Sequence, residues 1–312
     1  MASIFENTRS KVTVHILHDD TLTDSNRQKF IRTAEKYSQG IELHDVTGYR
    51  NNIREDVVLF FRNTFTVGAL YRLAMHEILP FDKVIYLDGD TLVNLDIREL
   101  WEIDVGDNYL AAARDEVIYT EGERSKFSYW AVAARINGCR ASTYINSGVL
   151  VMNLNEIRGR GDFFAEASRY TIEHLHTYMS ADQKVFNSLF YGKIKLIDQK
   201  FNRQLWDYDS DLSDSIIHTN KRKSWRVYPE MYAERLYWKM YLRSAWGENI
   251  TRDEFVDVIA NIKPEQSEFL HPSPRQCFVR IIRGVWRRGS LSGLRRVVSL
   301  VARDMYHRLT HH

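Results

Sequence analysis

The sequence predicts an α/β fold, with a mostly parallel central sheet, helices on both of its faces and a helical extension after it. Two observations carry that expectation. Short β-branched runs alternate with segments whose apolar residues recur at helical spacing over residues 1–225. One run, Lys83-Val-Ile-Tyr-Leu87, is almost continuously apolar, the pattern of a strand buried on both faces.

The elements follow in order. Residues 11–17 (Lys-Val-Thr-Val-His-Ile-Leu) read as a first strand, closed by the polar turn His18-Asp-Asp20. Asp24 is expected to cap a helix running to about residue 37, and residues 41–46 form a second strand. Residues 64–79 carry a helical pattern that stops before Pro80-Phe-Asp82. Further strands are expected over 83–87, 109–113, 147–154 and 194–197, with helices over 163–178 and 182–191. Residues 116–143, with Phe127, Tyr129 and Trp130, read as a long loop or short helices over the sheet edge. After Trp225 the pattern turns helical and aromatic (Tyr228, Tyr232, Tyr237, Trp238, Tyr241, Trp246), and Pro272 and Pro274 mark its end. The expected division is therefore a catalytic unit over 1–225, a helical aromatic-rich extension over 226–274 and a tail over 275–312.

Composition narrows the classes. Hydrophobic residues at 44% and charged residues at 27% of 312 exclude global disorder, collagen-like repeats and coiled coil. Two distant cysteines, Cys139 and Cys277, fit neither a disulfide framework nor a structural zinc site, and point to a reducing cytoplasm. The opening residues do not read as a signal peptide, and no window approaches the ~20 apolar residues of a membrane span. The net charge of +2 hides an asymmetry: residues 275–312 hold nine arginines, no lysine and one acid, so the basic character belongs to the tail.

Asp88-Gly-Asp90 is the most informative triplet. In open α/β sheets ligands gather at the carboxyl ends of strands. A buried strand that delivers two carboxylates there needs compensating charge. A divalent cation bridging to a diphosphate supplies it, and Gly89 lets the backbone come close to the ligand. Two carboxylates on a solvated Asp-Gly turn are the ordinary alternative, but the flanking Val-Ile-Tyr-Leu and Thr-Leu-Val runs favour the metal.

The whole run Leu79-Pro-Phe-Asp-Lys-Val-Ile-Tyr-Leu-Asp-Gly-Asp-Thr-Leu-Val93 closely resembles the Asp-x-Asp segment of glycosyltransferase family 8, which includes bacterial lipopolysaccharide glucosyl- and galactosyltransferases. Four more segments match in order: Tyr71-Arg-Leu73; Tyr144-Ile-Asn-Ser-Gly-Val-Leu-Val-Met-Asn153; Asp182-Gln183 with Phe186-Asn187; and His218 with Lys223 and Trp225. The resemblance spans residues 10–250 and implies a single GT-A fold, the nucleotide-diphospho-sugar transferase architecture. It implies that Asp88, Asp90 and His218 hold Mn²⁺, or Mg²⁺, against the diphosphate of a UDP-sugar. Two carboxylates and an imidazole suit Mn²⁺ better than Ca²⁺. By the same resemblance Arg72 and Lys223 neutralise the diphosphate, while Asn146, Ser147 and Asp115 line the donor-sugar side. Asp182 and Gln183 match the pair nearest the anomeric carbon. Family 8 enzymes retain anomeric configuration. With an amide at Gln183, a poor nucleophile, the implied route is same-face attack by the acceptor as UDP departs.

The sequence departs from the family in two places. The family opens with a strand of the type Ile-Val-Phe-Ala-x-Asp-x-x-Tyr that binds uracil and ribose, and this sequence begins near the end of the following helix, at Ala2-Ser-Ile-Phe. A start site assigned too late is the expected explanation; loss of UDP binding is the other. In His218-Thr-Asn-Lys-Arg-Lys-Ser-Trp225 the family's usual Gly and Pro are Lys221 and Ser224.

In the tail, Phe278, Ile281, Ile282, Val285 and Trp286 recur at helical spacing among arginines. This reads as a basic amphipathic helix on an anionic inner-membrane surface, placing the protein in the cytoplasm, peripherally bound. Nucleic acid is not expected, since no binding module accompanies the arginines. The expected partners are a UDP-hexose and a glycan or lipid-linked acceptor. Two other readings stand beside the active transferase: a non-catalytic sugar- or membrane-binding homologue, and a nucleotidyltransferase, against which Asn146-Ser-Gly and Asp182-Gln183 count.

Overall fold

Burial on both faces runs furthest along β6 (Ile145–Asn153), buried at every residue but the last. Its side chains alternate between two apolar clusters. Leu150 and Met152 join Leu70, Leu73 and Phe186 on one face; Val149 and Val151 join Phe5, Val93 and Ile216 on the other. Period-two alternation is what a pleated strand covered on both sides requires. Each fully buried aliphatic side chain contributes roughly 1.5–3 kcal/mol, so β6 is the axis of the core. The computed structural model describes residues 1–51, 68–126, 128–136, 138–174, 181–204, 210–220, 223–224 and 231–260.

Around β6 stand β3 (Lys83–Leu87), β5 (Leu110–Arg114) and β7 (Ile194–Leu196), in the order β3-β6-β5-β7. β6 runs antiparallel to both neighbours, and β7 pairs parallel with β5. Three of the four strands thus share a direction, as a mostly parallel sheet requires, yet two of its three ladders are antiparallel. Hydrophobic pattern assigns a strand's faces but not its direction, so the sequence alone does not reveal the reversal. The reversal matters: it brings the start of β6 to the place where β3 and β5 end. β3, expected to be buried on both faces, is the outer strand of this sheet and only Val84 is buried.

Among the described residues two smaller pairs complete the β structure. β1 (Thr13–His18) and β2 (Gly40–Asp45) form a parallel two-stranded sheet. β4 (Thr91–Val93) and β8 (Ile216–His218) form an antiparallel one. Among the described residues no ladder joins β1 to β3, although Val14 and Ile85 pack into the same cluster.

The first helix, α1 (Ala2–Asn7), covers the backbone of β4. Ser3 Oγ accepts from the Val93 N–H at 3.0 Å, and Asn7 donates to the Val93 carbonyl at 2.9 Å. α2 (Asp24–Lys36) is capped by Thr23 rather than by Asp24: the Thr23 hydroxyl accepts from the Asn26 N–H. Asp24 instead occupies the first turn, where a carboxylate favours the helix dipole. Residues 116–143 contain two helices, α3 (Glu116–Arg124) and α4 (Tyr129–Ile136), of the two forms expected there. α5 (Phe163–Glu173) and α6 (Ala181–Leu189) supply the aromatic packing of Phe163, Phe186 and Phe190. The continuous helix expected over 64–79 is broken where described: Gly68–Tyr71 and Met75–Ile78 are single α turns, joined by a 3₁₀ turn at Arg72–Ala74. A tight turn inside a helix commonly accompanies a functional side chain, and Arg72 is held there by partners on two strands. Beyond β8, α7 (Tyr232–Arg243) packs Ala233, Leu236 and Met240 against Leu92 and Ile217, and α8 (Arg252–Ala260) follows.

The basic amphipathic helix expected over 275–312, together with Phe127, residues 175–180, Lys221, Arg222 and Trp225, lies outside the described residues. Among the described residues no helix is long and apolar enough to cross a membrane.

His76 is buried against Phe163, and burial holds its imidazole below the ordinary histidine range. Its folded pKa therefore lies under its unfolded one. As pH falls through about 6.5 the unfolded chain takes up a proton that the folded chain refuses, so stability declines as pH falls until the folded value is passed. Thermal unfolding followed by circular dichroism should show Tm dropping as pH falls below about 6.5. His76→Gln should flatten that limb of the profile.

Candidate active site

The ends of β3, β4, β6 and β8 meet at one place. The Asp88 N–H donates to the Gly148 carbonyl at 2.8 Å, extending the β3–β6 ladder one residue past Leu87 and setting Asp88 beside β6. The turn then closes through Thr91, whose hydroxyl and N–H both donate to the Asp88 carbonyl. β4 pairs Thr91 with His218 of β8. The Thr219 N–H and hydroxyl fasten the Asp90 carbonyl at 2.9 and 2.8 Å. Two strand pairs thus deliver Asp88, Asp90 and His218 to one point, with a donor atom of each within 4.8 Å of the others.

The tautomer of His218 follows from its surroundings. The Gly148 backbone N–H donates to Asn146 Oδ1 at 2.9 Å, which fixes that atom as the oxygen, an acceptor. His218 Nδ1 stands 3.1 Å from the same oxygen and 3.1 Å from Asn202 Oδ1, so Nδ1 carries the proton. In the neutral ring Nε2 then presents a lone pair. It lies 3.2 Å from Asp90 Oδ1 and 3.5 Å from Asp88 Oδ2, is buried, and is aligned for a hydrogen bond with neither. A lone pair facing two carboxylates is repulsive unless a cation stands among them. Two carboxylate oxygens and an oriented imidazole nitrogen are a donor set that fits a divalent metal such as Mn²⁺ or Mg²⁺, and the Nδ1 contacts supply the outer support such ligands use.

Glycine is required at 148. A Cβ there would stand 2.0 Å from His218 Cε1, 2.5 Å from His218 Nδ1 and 2.9 Å from Asp88 Oδ2. At Gly89 a Cβ would meet nothing within 4 Å, so the protein itself makes no steric demand for glycine in the middle of the triplet.

Two cations flank the carboxylates. Arg72 is buried, donates to Asp88 Oδ1 at 2.7 Å and to the Ser147 carbonyl at 2.8 Å, lies 3.3 Å from Asp182 Oδ2, and covers the Tyr86 ring at 4.4 Å. Burial alone would weaken its hold on the proton, but Asp182 and Asp88 outweigh it and keep the guanidinium charged. Lys223 forms an ion pair with Asp90. Burial pushes the Asp90 carboxyl upward; His218, whenever its ring is charged, and Lys223 outweigh it and hold the group well below the usual carboxylate range. Asp182 goes the other way: burial, aided by Asp88, raises it against the pull of Arg72.

A polar floor completes the network. Gln183 accepts from Asn146 Nδ2 at 3.0 Å and from the Ser147 N–H at 3.3 Å, and donates to Asp115 Oδ2 at 3.1 Å. The Ser147 hydroxyl donates to Asp182 at 3.1 Å. Asp115 also caps α3 by accepting from the Ile118 N–H. All ten polar residues singled out from the sequence (Arg72, Asp88, Asp90, Asp115, Asn146, Ser147, Asp182, Gln183, His218, Lys223) therefore belong to one connected set of contacts. Sequence reasoning missed Tyr86, which donates to Asp88 Oδ1 at 2.8 Å, and Asn202, fully buried, which shares the orientation of His218. Tyr86 was hidden in an apolar strand and Asn202 in an ordinary polar loop; only the fold marks them. On another side of Asp90 a cavity of about 270 Å³ opens toward Phe30, Tyr237, Tyr241 and Trp246.

Comparison with known proteins follows from this geometry. The model of the family "Glycosyl transferase family 8" matches residues 1–228. A putative glycosyltransferase of Haemophilus influenzae is 28% identical over 66% of this chain and 59% of its own length. The lipopolysaccharide 1,2-glucosyltransferase of Escherichia coli is 29% identical over 65% of this chain and 57% of its own. The chain thus spans somewhat under two thirds of both relatives. Among solved structures, the galactosyltransferase LgtC, crystallised with donor and acceptor sugar analogues, superimposes with a TM-score of 0.59 at 23% identity, over 82% of this chain and 92% of that one. That likeness shows a shared fold, the GT-A fold.

The Gly148 contacts yield a prediction. In Gly148→Ala the new methyl must displace His218 or Asp88, so Mn²⁺ affinity, measured by electron paramagnetic resonance of the free ion, should fall by roughly 10–100-fold. The circular dichroism spectrum should be unchanged.

Proposed function

Because the chain belongs to glycosyl transferase family 8, we propose that it moves a hexose, glucose or galactose, from a UDP-sugar to a lipopolysaccharide or other cell-surface glycan with retention of anomeric configuration. One observation carries this reading: Asp88, Asp90 and the oriented Nε2 of His218 converge at strand ends beside two cations, Arg72 and Lys223. A metal bound there, Mn²⁺ or Mg²⁺, would polarise and hold the diphosphate. The relatives that act on lipopolysaccharide support the acceptor class.

In this reading the protein's own groups divide the work. Arg72, its fork already aimed by Asp88 and Ser147, and Lys223 stabilise the negative charge that develops on the departing diphosphate. Asp182, Asn146, Ser147 and Asp115 orient the donor hexose. Gln183 has both ends of its amide engaged, and an amide is in any case a poor nucleophile. A covalent glycosyl intermediate of the glycosidase kind, which needs a free carboxylate close to the anomeric carbon, is therefore disfavoured at Gln183, and the neighbouring Asp182 carboxylate is already engaged by Arg72 and Ser147. The acceptor hydroxyl attacks on the face from which UDP leaves, and the leaving phosphate takes the proton. Residues 1–225 form the catalytic unit, 226–274 a helical extension, and 275–312 a basic segment that docks the enzyme on the cytoplasmic side of an anionic membrane near lipid-linked acceptors.

A second reading has one observation in its favour. Among the described residues the two-stranded β1–β2 sheet shares no ladder with the four-stranded one, and a protein with a divided sheet could hold sugar or membrane without binding UDP. Calorimetric titration with UDP and Mn²⁺ separates the two, because the non-catalytic homologue gives no heat.

A donor screen that reads released UDP, run on the full chain with Mn²⁺ and lipopolysaccharide core acceptor, should select UDP-glucose or UDP-galactose. Asp90→Asn should lower that activity by more than about 100-fold, since even outer-sphere changes cost 10–100-fold, while the fold survives. Appreciable metal-dependent transfer by the variant would overturn the assignment. Liposome flotation should recover the full chain, and not residues 1–274, on vesicles rich in anionic lipid; equal recovery removes the tail from the account.

A further inference from the structure

A second set of metal-ligating side chains stands away from the strand ends just described and shares no residue with them. His15 lies on β1 opposite Glu42 of β2, and His44 follows two residues along β2. Residues two apart on a strand point to the same face, so the parallel register places all three side chains together. Their ligating atoms form a compact triangle. His15 Nδ1 is 2.9 Å from His44 Nε2 and 3.4 Å from Glu42 Oε2, and His44 Nε2 is 3.8 Å from that same oxygen. Donors at the ~2.0–2.1 Å bond lengths of tetrahedral zinc are ~3.3–3.4 Å apart, and the three separations bracket that value.

The surroundings fit a bound ion. The imidazoles are largely withdrawn from water, with side-chain exposures of 16% and 22%, while the Glu42 carboxylate, at 58%, faces solvent. The Phe81 ring packs against His15 at 5.0 Å and closes one flank. The two histidine nitrogens that point at each other have room for at most one proton between them, so one presents a lone pair to the other. A cation drawn in beside Glu42 gives both lone pairs a partner. Two imidazoles and one carboxylate form a borderline donor set that selects Zn²⁺ over the harder Mg²⁺ and Ca²⁺, with water free to take the fourth position.

We infer that His15, Glu42 and His44 form a Zn²⁺ site that clamps β1 to β2. β1 and β2 make a ladder only with each other among the described residues, and a two-stranded ribbon is marginal by itself. Zinc bound to the folded pair and not to the separated strands adds its binding free energy to their association. The inference is independent of the glycosyltransferase reading.

The test uses the full chain, stripped of metal with a chelator, in an Asp90→Asn background that disables the other candidate site. Titration with Zn²⁺ against a chromogenic competitor should show one tight equivalent in Asp90→Asn that disappears in Asp90→Asn/His44→Ala. Co²⁺, which reports geometry by its visible absorption, should give the intense tetrahedral bands in the first protein and not in the second. Zn²⁺ should raise Tm only where both histidines are present. Equal stoichiometry and equal thermal response in the two proteins would overturn the site and leave a plain histidine–histidine hydrogen bond. Should His44→Ala fail to fold, Asp90→Asn/Glu42→Gln decides, since Glu42 is largely exposed: Zn²⁺ affinity should fall about 10–100-fold, and unchanged affinity sinks the inference.

Discussion

The side chains of His218 and Asp88 close on the backbone of Gly148, and the rest of the site depends on that approach. β6 must run against its neighbours for its first residues to reach the carboxyl end of β3, and it must carry no side chain there for His218 to reach past it to Asp88. A residue with a Cβ would push His218 or Asp88 out of place. The same strand also supplies the atom that orients His218, because the Gly148 N–H fixes Asn146 Oδ1 as an acceptor. One short stretch of β6 therefore sets spacing and tautomer together.

Arg72 shows how the two apolar faces and the polar end are joined. Its guanidinium is withdrawn from water, a position that is costly for an unpaired charge, yet it faces Asp88, Asp182 and the Ser147 carbonyl at once. Removing any of those partners leaves a buried charge partly uncompensated. The polar cluster is thus held by mutual need as much as by the hydrophobic clusters above and below the sheet. The opposite displacements of Asp90 and Asp182 belong to the same arrangement: the first faces Lys223 and His218 and stays ionised, the second sits deeper and is pushed toward its neutral form.

Much of this was legible in the sequence, for reasons that differ by residue. The strand at 83–87 and its terminal carboxylates are announced by an apolar run ending in Asp-Gly-Asp, and the structure places β3 over those residues. The helix at 24–37 was found within a residue, though its cap is Thr23, because Thr and Asp are both good caps and only geometry chooses between them. Ordered motifs brought out Asn146, Ser147, Asp182 and Gln183, which no local pattern distinguishes from ordinary strand and helix-start residues. What stayed hidden depends on long-range packing. The reversed direction of β6, the break of the helix at Arg72, and the service of Tyr86 and Asn202 all arise from contacts between segments far apart in the chain. Short β4 was invisible because three residues carry too little periodicity to be read.

The formal charges in the cleft have an outcome for the order of events there. Among the described residues of the contact network, the carboxyl groups of Asp88, Asp90, Asp115 and Asp182 outnumber the cations Arg72 and Lys223 by two. The excess is that of one divalent ion. Polyanions that arrive unaccompanied meet a wall of their own sign, whereas the same molecules already chelating an ion meet a surface of opposite demand. On the proposed function, an ion that enters first, or together with the nucleotide, is what offsets this excess.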